Sequence, residues 1–127
     1  MLSIRSKLKQ GLTDTTGLDV YFVQPPINTN VSIPLLILEE KVNSQYYRDR
    51  NSTQEIVNLS YDISIYTNDP EQLFELMSSV DDYCFKVGLK RTYISSDLNI
   101  DNQLWCKTMT YVCKAVLLED GKIQISQ

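Results

Sequence analysis

Histidine is absent from this chain, and that absence narrows its chemistry more than any residue present. The commonest general base and the commonest metal ligand are missing, and no Ser-His or Cys-His nucleophile pair can be assembled. Glycine is scarce: Gly11, Gly17, Gly88 and Gly121 stand far apart, which excludes a P-loop and a dinucleotide-binding fingerprint. Long apolar runs are missing too. Stretches such as Leu35-Leu36-Ile37-Leu38 stop far short of the roughly 18 to 20 residues of a membrane span. The opening Met1-Leu2-Ser3-Ile4-Arg5 lacks the apolar core of a signal peptide, so synthesis and folding in the cytoplasm are expected.

Cysteine occurs three times, an odd count that argues against a disulfide framework. Cys106 and Cys113 are seven apart on what reads as a strand and so point to opposite faces, while Cys84 falls on a helix face. No metal site is expected from them; all three read as small buried or half-buried apolar residues. Acids outnumber bases 16 to 12, for a net charge of −4. Nucleic-acid binders need clustered cations to displace phosphate counterions. The densest groups here, Arg5-Lys7-Lys9 and Lys86-Lys90-Arg91, read as solvated helix faces and helix ends. The alternation Asp97, Asn99, Asp101 lacks the glycine and the distal glutamate of a calcium loop and reads as a polar turn. Asp81-Asp82 fall off the helix's apolar stripe and read as solvated. No catalytic, cofactor-binding or metal residue is assigned, and the chain is expected to be a non-enzyme that works by binding.

What is present organises a single domain over 1–127. Ile4, Leu8 and Leu12 recur every four residues, predicting a short helix over 3–12 with Ser3 as N-cap, followed by turn chemistry from Thr13 to Gly17. Leu18–Val23 reads as a strand ended by Pro25-Pro26. Ile33–Glu40 reads as a second strand, apolar on both faces at Leu35 to Leu38 and hence inside the sheet. A polar run from Lys41 to Gln54 without periodicity reads as a long loop. In Glu55–Thr67, Val57, Leu59, Tyr61, Ile63 and Ile65 alternate with polar partners, the pattern of a half-buried strand. Pro70–Val87 is the main helix: Asp69 is its N-cap, Pro70 stands at N1, Gln72 completes a capping box, and Gly88 stops it. Its core stripe is Leu73, Leu76, Met77, Val80, Cys84 and Val87. Leu89–Ser95 and Leu104–Leu118 read as strands flanking a polar turn over 96–102, and Glu119-Asp120-Gly121-Lys122 joins the last to Ile123-Gln124-Ile125 in a hairpin. The expected class is α+β. An antiparallel or mixed sheet carries a short N-terminal helix and one main helix, with a long loop between strands 2 and 3.

Read in order, these stretches resemble the tail completion, or tail-to-head joining, proteins of long-tailed phages, related in fold to tail terminators. The resemblance runs over about 4–116. It starts at Ile4-Arg5-Ser6-Lys7-Leu8-Lys9 and Thr15-Thr16-Gly17-Leu18, then passes through Val20-Tyr21-Phe22-Val23-Gln24-Pro25-Pro26 and Ile33-Pro34-Leu35-Leu36-Ile37-Leu38-Glu39-Glu40. Beyond the loop it continues with Tyr61-Asp62-Ile63-Ser64-Ile65-Tyr66, Val80-Asp81 and Val87-Gly88-Leu89-Lys90-Arg91, and it closes on Leu104-Trp105-Cys106-Lys107-Thr108-Met109-Thr110-Tyr111. The distinctive feature is their order and spacing. The tail 117–127 reads as a C-terminal extension.

The resemblance implies a virion structural protein at the head–tail junction, made in the host cytoplasm and acting as a subunit of a hexameric ring. The ring would cap the tail tube, dock the head completion or connector protein, and conduct DNA through its lumen without specific binding. An acidic chain is compatible with that passage. The loop 41–54 is the expected assembly element. Tyr46 and Tyr47 would supply contact area, and Arg48 and Arg50 charged hydrogen bonds. The alternative is a small regulatory or ligand-binding α+β module without catalysis.

Overall fold

The strand that anchors the architecture is the one whose sequence alternates most strictly. In the computed structural model, which describes residues 4–22, 33–48, 55–101, 104–117 and 123–126, that strand is β3 in a sheet carried by two helices. In chain order the elements are α1 (Arg5–Thr16), β1 (Val20–Tyr21), β2 (Leu35–Arg48), β3 (Glu55–Thr67), α2 (Pro70–Val87), β4 (Lys90–Ile94), β5 (Leu98–Asp101), β6 (Leu104–Leu117) and β7 (Ile123–Ser126). The class is α+β with a mixed sheet. The path β1-β2-β3-β6-β4 is parallel only at β1–β2, and β5 and β7 join it along β6.

Val57, Leu59, Tyr61, Ile63 and Ile65 of β3 are buried, and so are Met109, Tyr111, Cys113 and Ala115 of β6 beside them. The helices pack on this face. Leu73, Leu76, Val80 and Cys84 of α2 and Ile4, Leu8 and Leu12 of α1 close one core with the sheet. Fully burying each such side chain is worth about 1.5–3 kcal/mol, so the sheet face and the two helix stripes specify one another. Leu35 to Leu38 are all buried, as expected of a strand held between neighbours. The helices touch at Gly11, where a Cβ would overlap the Tyr83 ring.

Several boundaries differ from the sequence reading. Helix α1 runs on to Thr16, through residues whose composition reads as a turn. Gln10 pairs with Asp14 at 2.9 Å, Thr16 donates back to the Leu12 carbonyl at 2.7 Å, and Gly17 ends the helix in the left-handed region. Ser3 and Pro25-Pro26 lie outside the described residues. The cap position itself is Ile4, which makes no side-chain cap bond. Of the strand expected over 18–23, the described residues 18–22 are strand only at Val20–Tyr21, paired with Leu36 and Ile37, and Val23 lies outside the described residues. Part of the expected polar turn after β4 is strand β5, held by backbone pairing to Leu104–Cys106.

Helix α2 has the expected bounds and caps. Asp69 accepts from the Glu71 amide at 3.0 Å, and Gly88 is left-handed with φ of 100°. Gln72 does not complete a capping box. It accepts from the buried Thr67 hydroxyl at 2.7 Å, while Thr67 also receives the Asp69 amide at 3.2 Å. Thr67 thus satisfies the β3–α2 corner from inside. Strand β6 carries β3 along one edge and three short strands in succession along the other: β7 at Lys114–Leu117, β4 at Met109–Val112, β5 at Leu104–Cys106.

Candidate functional site

Strands β2 and β3 form a long antiparallel ribbon of 14 and 13 residues. At roughly 3.3 Å per residue it is about 40 Å long. Tyr46, Tyr47 and Arg48, expected in a loop, lie on the backbone of β2 near the ribbon's end. Tyr47 pairs with Ile56, Arg48 pairs with Glu55, and Tyr46 stands where the register shifts. An extra residue of this kind bends a strand and re-aims its neighbours. Arg50 lies outside the described residues. Side-chain periodicity missed this half of β2 because Asn43 to Arg48 are held by a backbone ladder, which no apolar pattern reports.

The same end of the sheet gathers the C-terminal segment. Arg48, Glu55, Leu117 and Ile123 are consecutive cross-strand partners in β2, β3, β6 and β7. The ends of β2, β3, β6 and β7 therefore lie at one end of the sheet, with β3 and β6 standing between β2 and the C-terminal strand. The Ile125 side chain packs against the main core, so β7 is integral to the domain.

A second group of polar residues lies between α2 and β4. Tyr111, 1% exposed, donates its hydroxyl to Asp81 Oδ1 at 2.8 Å, and Arg91 approaches the same oxygen at 3.3 Å. Asp81 is therefore held by two partners, where the sequence read it as solvated. Burial pushes the Tyr111 hydroxyl well above its usual range, and neighbouring Cys84 and the bond to Asp81 add to the effect. Together with exposed Phe85, Asp82 and Lys90 and buried Leu89 these residues line an open groove of about 600 Å³. Sequence reasoning did not single out Tyr111. Its signal was a hydroxyl placed on the core-facing parity of β6. Tyr61 is the parallel case: it donates to Glu40 Oε1 at 2.8 Å and accepts the Ile4 amide at 3.3 Å, tying the start of α1 to β2 and β3.

The three thiols are free and buried. Cys84 is pushed up to about 12 by burial and by the charge of Asp81, Cys113 to about 11 by burial, and Cys106 is raised as well, again by burial. Thiols so shifted stay protonated near neutrality and are weak nucleophiles. Cys106 and Cys113 lie on opposite faces, since the β3–β6 register runs without a shift between Tyr66↔Cys106 and Leu59↔Cys113. Of the acids expected in a polar turn, Asp97 pairs with Lys107 at 2.7 Å, and Asp101 is in β5 opposite Leu104. Among the described residues no three potential metal ligands come together. No helix among them is long and apolar enough to cross a membrane.

The face away from the helices carries a polar ladder. Ser64 and Thr108 share a hydrogen bond at 2.9 Å, and Thr110 donates to Asp62 at 2.6 Å. The arrangement offers an extended ribbon end, a ladder of satisfied hydroxyls and a shallow groove. No protein-family model matches the chain, and no curated protein matches it.

Proposed function

We propose that this chain is a virion structural protein that caps the tail tube of a long-tailed phage and joins it to the head connector as a ring subunit. The observation that carries the reading is the sheet end formed by Arg48, Glu55, Leu117 and Ile123. There the backbone of Tyr46, Tyr47 and Arg48 in β2 reaches the same sheet end as the C-terminal strand, with β3 and β6 between them. Aromatic and arginine residues grouped at one end are the composition of a protein contact. The order of elements supports the same reading. A short helix precedes a two-residue strand, a long ribbon, one main helix and a closing antiparallel group.

In this account the ribbon end meets the tube or the connector and the protein carries out no reaction. Since 43–48 pair with β3, deleting that stretch would strip a ladder as well as a contact, so substitution is the cleaner test. The quadruple variant Tyr46→Ala/Tyr47→Ala/Arg48→Ala/Arg50→Ala is expected to melt with the wild type and to fail in head-to-tail joining. Normal joining by that variant would overturn the assignment.

The groove between α2 and β4 favours a second reading, a small ligand-binding module. Its Asp81, Arg91 and Tyr111 already bond to one another. Electron microscopy of concentrated protein separates the two, rings supporting the tail reading.

A further inference from the structure

Helix α2 buries one stripe and leaves a second one bare. Phe74 and Phe85 are 67% and 76% exposed, although they are two of only three phenylalanines in the chain. They stand eleven residues apart, close to three turns at about 3.6 residues per turn, and so share one line on the helix. That line is about 16 Å long at roughly 1.5 Å per residue, with Ser78 and Asp81 between its ends. Glu71, Glu75 and Asp82 form a row beside it: Glu71 and Asp82 each stand three residues before a phenylalanine, and Glu75 falls between them. All three are exposed, and none is in an ion pair among the described residues. Asp81 is no part of this row, being held by Tyr111 and Arg91. The helix has no base before Lys86, in its last turn. A single exposed apolar side chain is ordinary, whereas two aromatics on one line beside a row of like charge make a contact face.

We propose that this stripe docks a basic amphipathic helix of another protein. The partner's apolar side chains rest on Phe74 and Phe85, and its lysines or arginines face Glu71, Glu75 and Asp82. The spacing suits a helix, because one laid alongside presents its own apolar stripe at the same three-turn interval. The groove described above opens beside Phe85 and admits one of those side chains. Charge decides the occupant, since the acidic row attracts a basic segment and repels an acidic one. A second copy does not supply it. Helix α1 carries Arg5, Lys7 and Lys9, yet its apolar face, Ile4, Leu8 and Leu12, is spent in its own core. Helix α2 carries the acids and repels its like. The site stands on a different element from the strand ends assigned to joining and does not depend on that assignment.

The test titrates the protein into a labelled synthetic helix of about 18 residues, roughly 27 Å long at 1.5 Å per residue. The peptide carries leucines on one stripe and lysines on the row beside it, and a control peptide replaces every lysine by glutamate. Fluorescence anisotropy at low salt is expected to show micromolar binding of the lysine peptide and binding at least about tenfold weaker for the control. Phe74→Ala/Phe85→Ala and, separately, Glu71→Gln/Glu75→Gln/Asp82→Asn should each weaken the lysine peptide by about tenfold or more. Added salt should weaken it as well. Both variants are expected to melt with the wild type, because all five side chains are exposed. If either melts early, the comparison of the two peptides on the unaltered protein decides. Four results overturn the site. They are no binding of the lysine peptide at millimolar protein, equal binding of the two peptides, unchanged binding by normally melting variants, and wild-type oligomers that Phe74→Ala/Phe85→Ala dissolves. The last would make the occupant a second copy.

Discussion

Gly88 shows how one residue fixes two elements at once. Its φ of 100° suits only a residue without a side chain, and a Cβ there would stand 3.0 Å from Ile125 Cγ2. Gly88→Ala therefore strains the end of α2 and presses on β7 together. The expected cost is about 1–2 kcal/mol, read as a lower guanidinium midpoint with an unchanged slope. The buried thiols give the second residue-scale prediction. Cys84 and Cys113 are raised from 9.0 to about 12 and about 11, chiefly by burial. A group with a raised folded pKa stabilises the native state fully below its unfolded value and loses that contribution as pH climbs toward the folded one. Stability should therefore be level up to about pH 8.5 and fall between pH 9 and 12. Cys84→Ala should make that fall shallower, and a flat profile in both proteins would contradict the assignment. The glycine stop and the three buried cysteines were legible in the sequence. The close approach of Ile125 to Gly88 was not, because it joins residues 37 apart in the chain.

At the scale of elements, the corner between β3 and α2 tests how the cap is built. Thr67 is wholly buried, donates to Gln72 and receives the Asp69 amide. Thr67→Val keeps the volume and leaves both partners short of a bond, at an expected 1–3 kcal/mol. Asp69→Ala removes an exposed cap bond and should cost about 1 kcal/mol. Thermal melts that rank Thr67→Val above Asp69→Ala would support the corner as described, and the reverse order would count against it. These elements also mark where sequence reasoning reaches. β3 and α2 were placed to the residue because each buries one face, and a buried face leaves a period of 2 or 3.6 in the chain. β5 and the second half of β2 were missed because both are held by pairing to a neighbour, Leu98 to Cys106 and Tyr47 to Ile56. The last turn of α1 was missed because its threonines carry a turn signature that local bonds to Leu12 and Asp14 outweigh.

For the whole molecule, the class and the order of elements were legible, and the meeting of β2, β3, β6 and β7 at one end of the sheet was not. It follows from the 13-residue register between β3 and β6, a non-local fact. That meeting sets the backbone of Tyr46, Tyr47 and Arg48 at one end of the sheet, and the contact proposed there carries the central claim of tail-to-head joining. The most direct measurement is an assembly assay. Heads and tails from a phage lacking this chain are mixed with purified protein, and joined particles are counted by electron microscopy. The account predicts joined particles only when the wild-type chain is added, and few or none with Tyr46, Tyr47, Arg48 and Arg50 changed to alanine. Heads and tails that join equally well without the chain would contradict it.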